Sequence, residues 1–155
     1  MPSHTTLSTF VVLVGCMQAS GGLITVGQSG GEDHATIQSA VDSAFDGDTI
    51  EVMAGQYTST GTDVVSVIDK SLTIRAADGE LVVIFGEWQR RGVSCVLSGQ
   101  QVSIDGIVFY GCDAVDQDGG GLQATGTSGT INVTNCTIDT CVTTASGGGV
   151  SVTGL

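Results

Sequence analysis

Leu72-Thr73-Ile74-Arg75-Ala76, Val102-Ser103-Ile104-Asp105-Gly106 and Ile131-Asn132-Val133-Thr134-Asn135 are three copies of one pattern, apolar at the first and third positions. The second begins 30 residues after the first, and the third 29 after the second. Another series runs in the same phase: Val65-Ser66-Val67, Val93-Ser94-Cys95, Leu122-Gln123-Ala124 and Val150-Ser151-Val152, at offsets of 28, 29 and 28. Phe109 to Cys112 recurs as Ile138 to Cys141, and Gly119-Gly120-Gly121 as Gly147-Gly148-Gly149. Period-two alternation marks half-buried strands. A fixed period of this length marks stacked repeats. No repeat carries a helical stripe, which excludes ankyrin-like and TPR-like arrays, and the Leu and Asn pattern of leucine-rich repeats is absent. The reading is an all-β, right-handed parallel β-helix with one rung per repeat. Equivalent strands pair in parallel, with inward ladders of Val65, Val93, Leu122, Val150 and of Leu72, Val102, Ile131.

One helix precedes the repeats. Ile37, Ala40, Val41, Ala44 and Phe45 fall on one apolar stripe. Asp33 or Thr36 can cap its start, and Gly47 can take the left-handed position that ends it. Such a short helix is not stable alone, so it must cover something. Thr49-Ile50-Glu51-Val52 then alternates as a strand.

Composition agrees. The 155 residues include 24 Gly and one Pro, and aromatics are 5%. This suits many short strands and tight turns better than a core of large side chains. The net charge is −12, and no Lys or Arg follows Arg91. That excludes a nucleic-acid surface, which needs clustered cations. An acidic polysaccharide would be repelled unless a cation bridged it.

The apolar run from Leu7 to Met17 is too short to span a bilayer but fits a signal-peptide core, with Ala19 and Gly21 as small residues for cleavage. Its n-region lacks Lys and Arg. Leu13-Val14-Gly15-Cys16 also resembles a bacterial lipoprotein box, in which Cys16 would carry lipid. The expected organisation is a signal peptide over 1–21, a Gly-, Ser- and acid-rich linker over 22–33, and the β-helix over 34–155. No transmembrane helix is expected once the signal is removed. The last rung starts at Gly149 and stops without a cap, so the solenoid is expected to be truncated at Leu155.

Residues 36–58 resemble the N-terminal cap of pectin-lyase-like β-helix proteins: a short helix, Gly47-Asp48, a strand over Ile50 to Val52, and Gly55-Gln56-Tyr57. A Pro often precedes that last Gly, whereas Ala54 stands here. Residues 102–155 resemble the repeats of polymorphic outer-membrane-type surface proteins, through Phe109-Tyr110-Gly111-Cys112 and Gly120-Gly121-Leu122, with Cys112 where Asn is usual. The first resemblance implies the fold and not an activity, because it spans esterases, lyases, epimerases and non-enzymes. A lyase of that kind would need calcium-binding carboxylates and a basic proton acceptor; a pectinesterase would need two Asp and an Arg on neighbouring rungs. No such constellation stands in this chain, so no catalytic residue is assigned.

Several residues are candidates for binding or modification. Trp88 can stack on a sugar ring, and Arg90 and Arg91 can clamp a carboxylate; alternatively Trp88 covers the rung edge. Asp113, Asp116 and Asp118 have spacing that suits a Ca²⁺ loop, and equally a solvated acidic turn. Cys112 and Cys141, on adjacent rungs, are within reach of a disulfide or stack as reduced thiols. Asn132 and Asn135 both match the N-glycosylation pattern. The leading expectation is a secreted or cell-surface, non-catalytic scaffold, adhesin-like or in contact with a polysaccharide or cell-surface glycan. The alternatives are the N-terminal portion of a carbohydrate-active enzyme with its site in further rungs, or a lipid-anchored envelope protein.

Overall fold

The computed structural model describes residues 21–115 and 117–155, so all but the last residue of the expected signal segment, with Cys16, and Asp116 lie outside the described residues. The chain winds as a parallel β-solenoid of about 5 turns. Its elements are β1 (Leu23–Val26), α1 (Ile37–Ser43), β2 (Thr49–Val52), β3 (Gly55–Tyr57), β4 (Asp63–Ile68), β5 (Leu72–Ala76), β6 (Val82–Phe85), β7 (Arg91–Asp105), β8 (Ile107–Tyr110), β9 (Leu122–Thr134), β10 (Thr137–Asp139) and β11 (Val150–Thr153). One sheet runs β1-β2-β5-β7-β9-β11, with β4 also on β7. The other runs β10-β8-β6-β3. Strand β7 pairs with β4 through Arg91 to Val96 and with β5 through Val102 to Asp105, so one long strand serves two faces of the coil.

The register matches the repeat. Val65 pairs with Val93, Val93 with Leu122, and Leu122 with Val150. Leu72 pairs with Val102, and Val102 with Ile131. Both ladders are buried along the middle rungs and open toward Val150, which is 42% exposed. On the second sheet Tyr57, Ile84 and Phe109 stack inward, each nearly inaccessible. Parallel in-register stacking lets like side chains fill one continuous core.

Two expectations near the start of the chain are corrected. The stretch 22–33, read as a linker, contributes β1, whose Leu23 to Val26 pair with Thr49 to Val52. The Leu-Ile-Thr-Val run has the β-branched composition of a strand, and the Gly-rich context obscured it. Among the described residues the first strand of the coil is therefore β1, ahead of residue 34. The helix ends at Ser43, with Ala44 extended, so Phe45 leaves the apolar stripe and is 80% exposed. Gly47 is left-handed (φ 91°), but in the turn into β2 rather than at the helix end.

The helix covers the end of the coil against β1, β2 and β4. Thr36 caps it by accepting from the Ser39 N–H. At its other end the Lys70 ammonium donates to the carbonyls of Val41, Asp42 and Ala44, which have no partner within the helix. The Gln38 amide donates to the Ser66 carbonyl and accepts from the Ser66 N–H. One side chain thus stands in for a neighbouring strand along the free edge of β4.

The glycine triplets have a steric cause. A Cβ on Gly120 would lie 2.2 Å from the Val142 carbonyl oxygen and 2.6 Å from that of Gly148. On Gly121 it would lie 2.6 Å from the Gly149 oxygen. Backbone from the next rung occupies both places, so no side chain rotation relieves the overlap. Gly120→Ala should lower stability by roughly 1–3 kcal/mol or more, read as a lower denaturation midpoint in urea; an unchanged midpoint would contradict this packing.

Candidate functional site

The second sheet places aromatic residues on its outer surface. Because Ile84 and Phe109 point inward, the residues after them, Phe85 and Tyr110, point out and pair across adjacent rungs. Their rings stack with centroids 5.8 Å apart at 29°. Trp88 meets Tyr110 edge-on, centroids 5.7 Å apart at 68°. Trp88 is 49% exposed and Tyr110 38%. Three of the chain's seven aromatic residues thus form one strip across two rungs.

The turn presenting Trp88 is held tightly. The Gly86 N–H donates to the Tyr110 carbonyl and the Trp88 N–H to that of Gly111, while the N–H groups of Gln89 and Arg90 both donate to the Gly86 carbonyl. Glu87 (φ 53°) and Trp88 (φ 60°) are consecutive left-handed residues. Neither is glycine, and each costs on the order of 1–2 kcal/mol in that conformation. Such strain persists only where the surroundings over-determine it, and it clusters at binding sites. Gly111 lies beneath the indole: a Cβ there would sit 3.1 Å from Trp88 Cε2.

The two arginines part company. Arg90 donates from Nε to the Gly61 carbonyl at 3.0 Å and pairs with Glu87. Arg91 does not reach solvent, and its expected role as a glycan clamp is corrected. It is 4% exposed, with its guanidinium bound to the Gly119 and Asp118 carbonyls, Gln117 Oε1 and Asp63 Oδ1. Register explains this, because Arg91 pairs with Asp63 at the start of the ladder Val65–Val93. Burial pushes the Asp63 carboxyl above the usual range, and the Arg91 charge offsets this only in part.

The other candidates are placed as follows. Asp118 Oδ1 accepts from the Ser146 N–H, tying that loop to the next rung. With Asp116 outside the described residues, no three His, Cys, Asp or Glu side chains among the described residues converge as a metal site. Cys95, Cys112, Cys136 and Cys141 are free thiols. Pairing of Asp139 with Tyr110 and of Val142 with Asp113 sets Cys112 opposite Cys141, where Cys112 donates to the Ile84 and Tyr110 carbonyls and Cys141 to those of Phe109 and Asp139. Interaction between the two neighbouring thiols raises the Cys112 pKa and lowers that of Cys141, while burial alone pushes Cys95 up to about 12. Asn132 and Asn135 are exposed; Asn135 donates to Asp105 Oδ1 at 2.7 Å, and Asn132 makes a longer contact to Ser103.

The aromatic strip escaped the sequence reading because β6 and β8 are offset by 25 residues, outside the 28 to 30 spacing of the repeats read from the sequence. Compared with known proteins, the chain matches no family model, no curated protein and no solved structure.

Two measurements test this arrangement. Arg91→Met should cost about 3–5 kcal/mol, because it strands the Asp63 carboxylate in a half-buried site; a loss below about 1 kcal/mol in chemical denaturation would show the network to be dispensable. Brief iodoacetamide treatment of the folded protein should alkylate Cys141 first and spare Cys95 until unfolding, as read by peptide mass spectrometry.

Proposed function

We propose that this protein is a non-catalytic extracellular β-solenoid that holds glycan on its outer aromatic strip, as a surface or adhesin-like scaffold. The observation that carries the reading is Trp88 standing half-exposed over Tyr110, in a turn that accepts two left-handed residues to present it. Indole and phenol rings offer a flat apolar face with a polar edge, suited to a partner that is itself part apolar and part wet. Sugar rings, with C–H faces and hydroxyl rims, are such partners.

Charge narrows the partner. Asp139 continues the outward ladder beyond Tyr110, and Glu87 flanks Trp88. With a net charge of −12, this surface disfavours polyanions, so a neutral polysaccharide is the better fit. The helix over the coil end, followed by Gly47-Asp48, β2 and Gly55-Gln56-Tyr57, supports placing the protein beside the pectin-lyase-like β-helices. The apolar Leu7–Met17 run supports export to the outside of the cell.

Affinity electrophoresis of the purified chain in gels containing neutral or acidic polysaccharides tests the proposal. The wild-type chain should be retarded by a neutral polymer, and Trp88→Ala should bind about tenfold more weakly, a loss of roughly 1.4 kcal/mol, with little change in thermal stability. Equal retardation of the two proteins would remove Trp88 from the contact, and release of cleavage products would overturn the non-catalytic reading.

A further inference from the structure

A cleft of about 720 Å³ opens on the other side of the 86–90 turn, between the start of α1 and residues 57–64. Its volume lies within the roughly 300–1,000 Å³ of small-molecule sites. Ile37, Tyr57 and Val64 form an apolar floor, each almost fully buried in the core. Thr58, Thr60 and Thr62 line the wall and are exposed. The Thr58 and Thr60 hydroxyls make no hydrogen bond among the described residues, while the Thr62 side chain bonds to Asp63. Glu87 and Arg90 close one end as an ion pair, and Asp63 beside them is paired with Arg91.

We propose that this cleft is a binding site for a neutral saccharide or similar polyol, separate from the aromatic strip. The floor takes the C–H face of the ring. The two free threonine hydroxyls each offer a donor and acceptors to ring hydroxyls. The Glu87–Arg90 pair sets a carboxylate acceptor next to a guanidinium donor, which matches two adjacent hydroxyls of a diol. Each charge lining the cleft already has its opposite, so a charged ligand would have to break an ion pair or enter uncompensated. A neutral ring bearing several hydroxyls meets neither cost. The site does not depend on the aromatic strip: the two share only the 86–90 turn, with Glu87 and Arg90 facing the cleft and Trp88 lying against Tyr110.

Saturation-transfer NMR on the full chain, with glucose, galactose and cellobiose as neutral probes and glucuronate as the charged one, tests the site. At least one neutral probe should show transfer, and glucuronate should bind at least about tenfold more weakly. Thr60→Trp, at an exposed position and placed in the Trp88→Ala background to remove any transfer through the strip, should fill the cleft and abolish transfer. The double variant Thr58→Val with Thr60→Val keeps the shape and should weaken binding by removing the hydroxyls. Trp88→Ala should leave transfer intact, which separates this site from the strip whether or not the strip binds polymer. Thermal melts establish that each variant is folded. Absence of transfer from all neutral probes, full transfer in folded Thr60→Trp with Trp88→Ala, loss of transfer in Trp88→Ala alone, or glucuronate binding as well as the neutral sugars would each overturn the proposal.

Discussion

Everything in this molecule follows from stacking one rung on the next at the parallel strand spacing of about 4.8 Å. At that distance each strand must find the equivalent strand of the following turn, and each inward side chain must find one of similar size. The Val65–Val93–Leu122 and Leu72–Val102–Ile131 ladders satisfy both conditions. The same spacing forbids side chains where backbones converge, and it is why Gly120 and Gly121 lie against carbonyl oxygens of the next rung. The free-energy gain is distributed, since each rung buries a few small apolar residues against its neighbours and no single residue dominates.

A stacked coil has ends and edges, and this one manages them with specific polar groups. Gln38 occupies the edge of β4 as a strand would, and Lys70 answers the last carbonyls of the helix. Arg91 has a similar role within the coil, joining Asp63, Gln117 and the backbone at Asp118 and Gly119 across neighbouring rungs. A buried guanidinium is tolerated there because its donors are matched by carbonyl and carboxylate oxygens.

Because the coil fixes the strands, variation is pushed outward into turns. The 86–90 turn is one such excursion. It accepts strain at Glu87 and Trp88, and it separates two surfaces of different character, an open aromatic strip and a hydroxyl-lined cleft. The strip lies on strands paired on both sides, and the cleft lies where α1 covers the end of the coil, so both are presented by the solenoid frame.

The sequence by itself determined the parallel coil, its phase and its inward ladders, because a fold built from like-on-like stacking writes its period into the chain. It also exposed the helix, the glycine triplets and the facing cysteines. It did not determine which members of the Trp88-Gln89-Arg90-Arg91 cluster face outward, because neighbours in sequence diverge where a turn feeds a strand. Nor did it reveal β1 inside an apparent linker, the exit of Phe45 from the helix, or the pairing of Phe85 with Tyr110 at an offset of its own. Tertiary structure alone decided these, since each depends on which backbone lies one rung away rather than on which residue comes next.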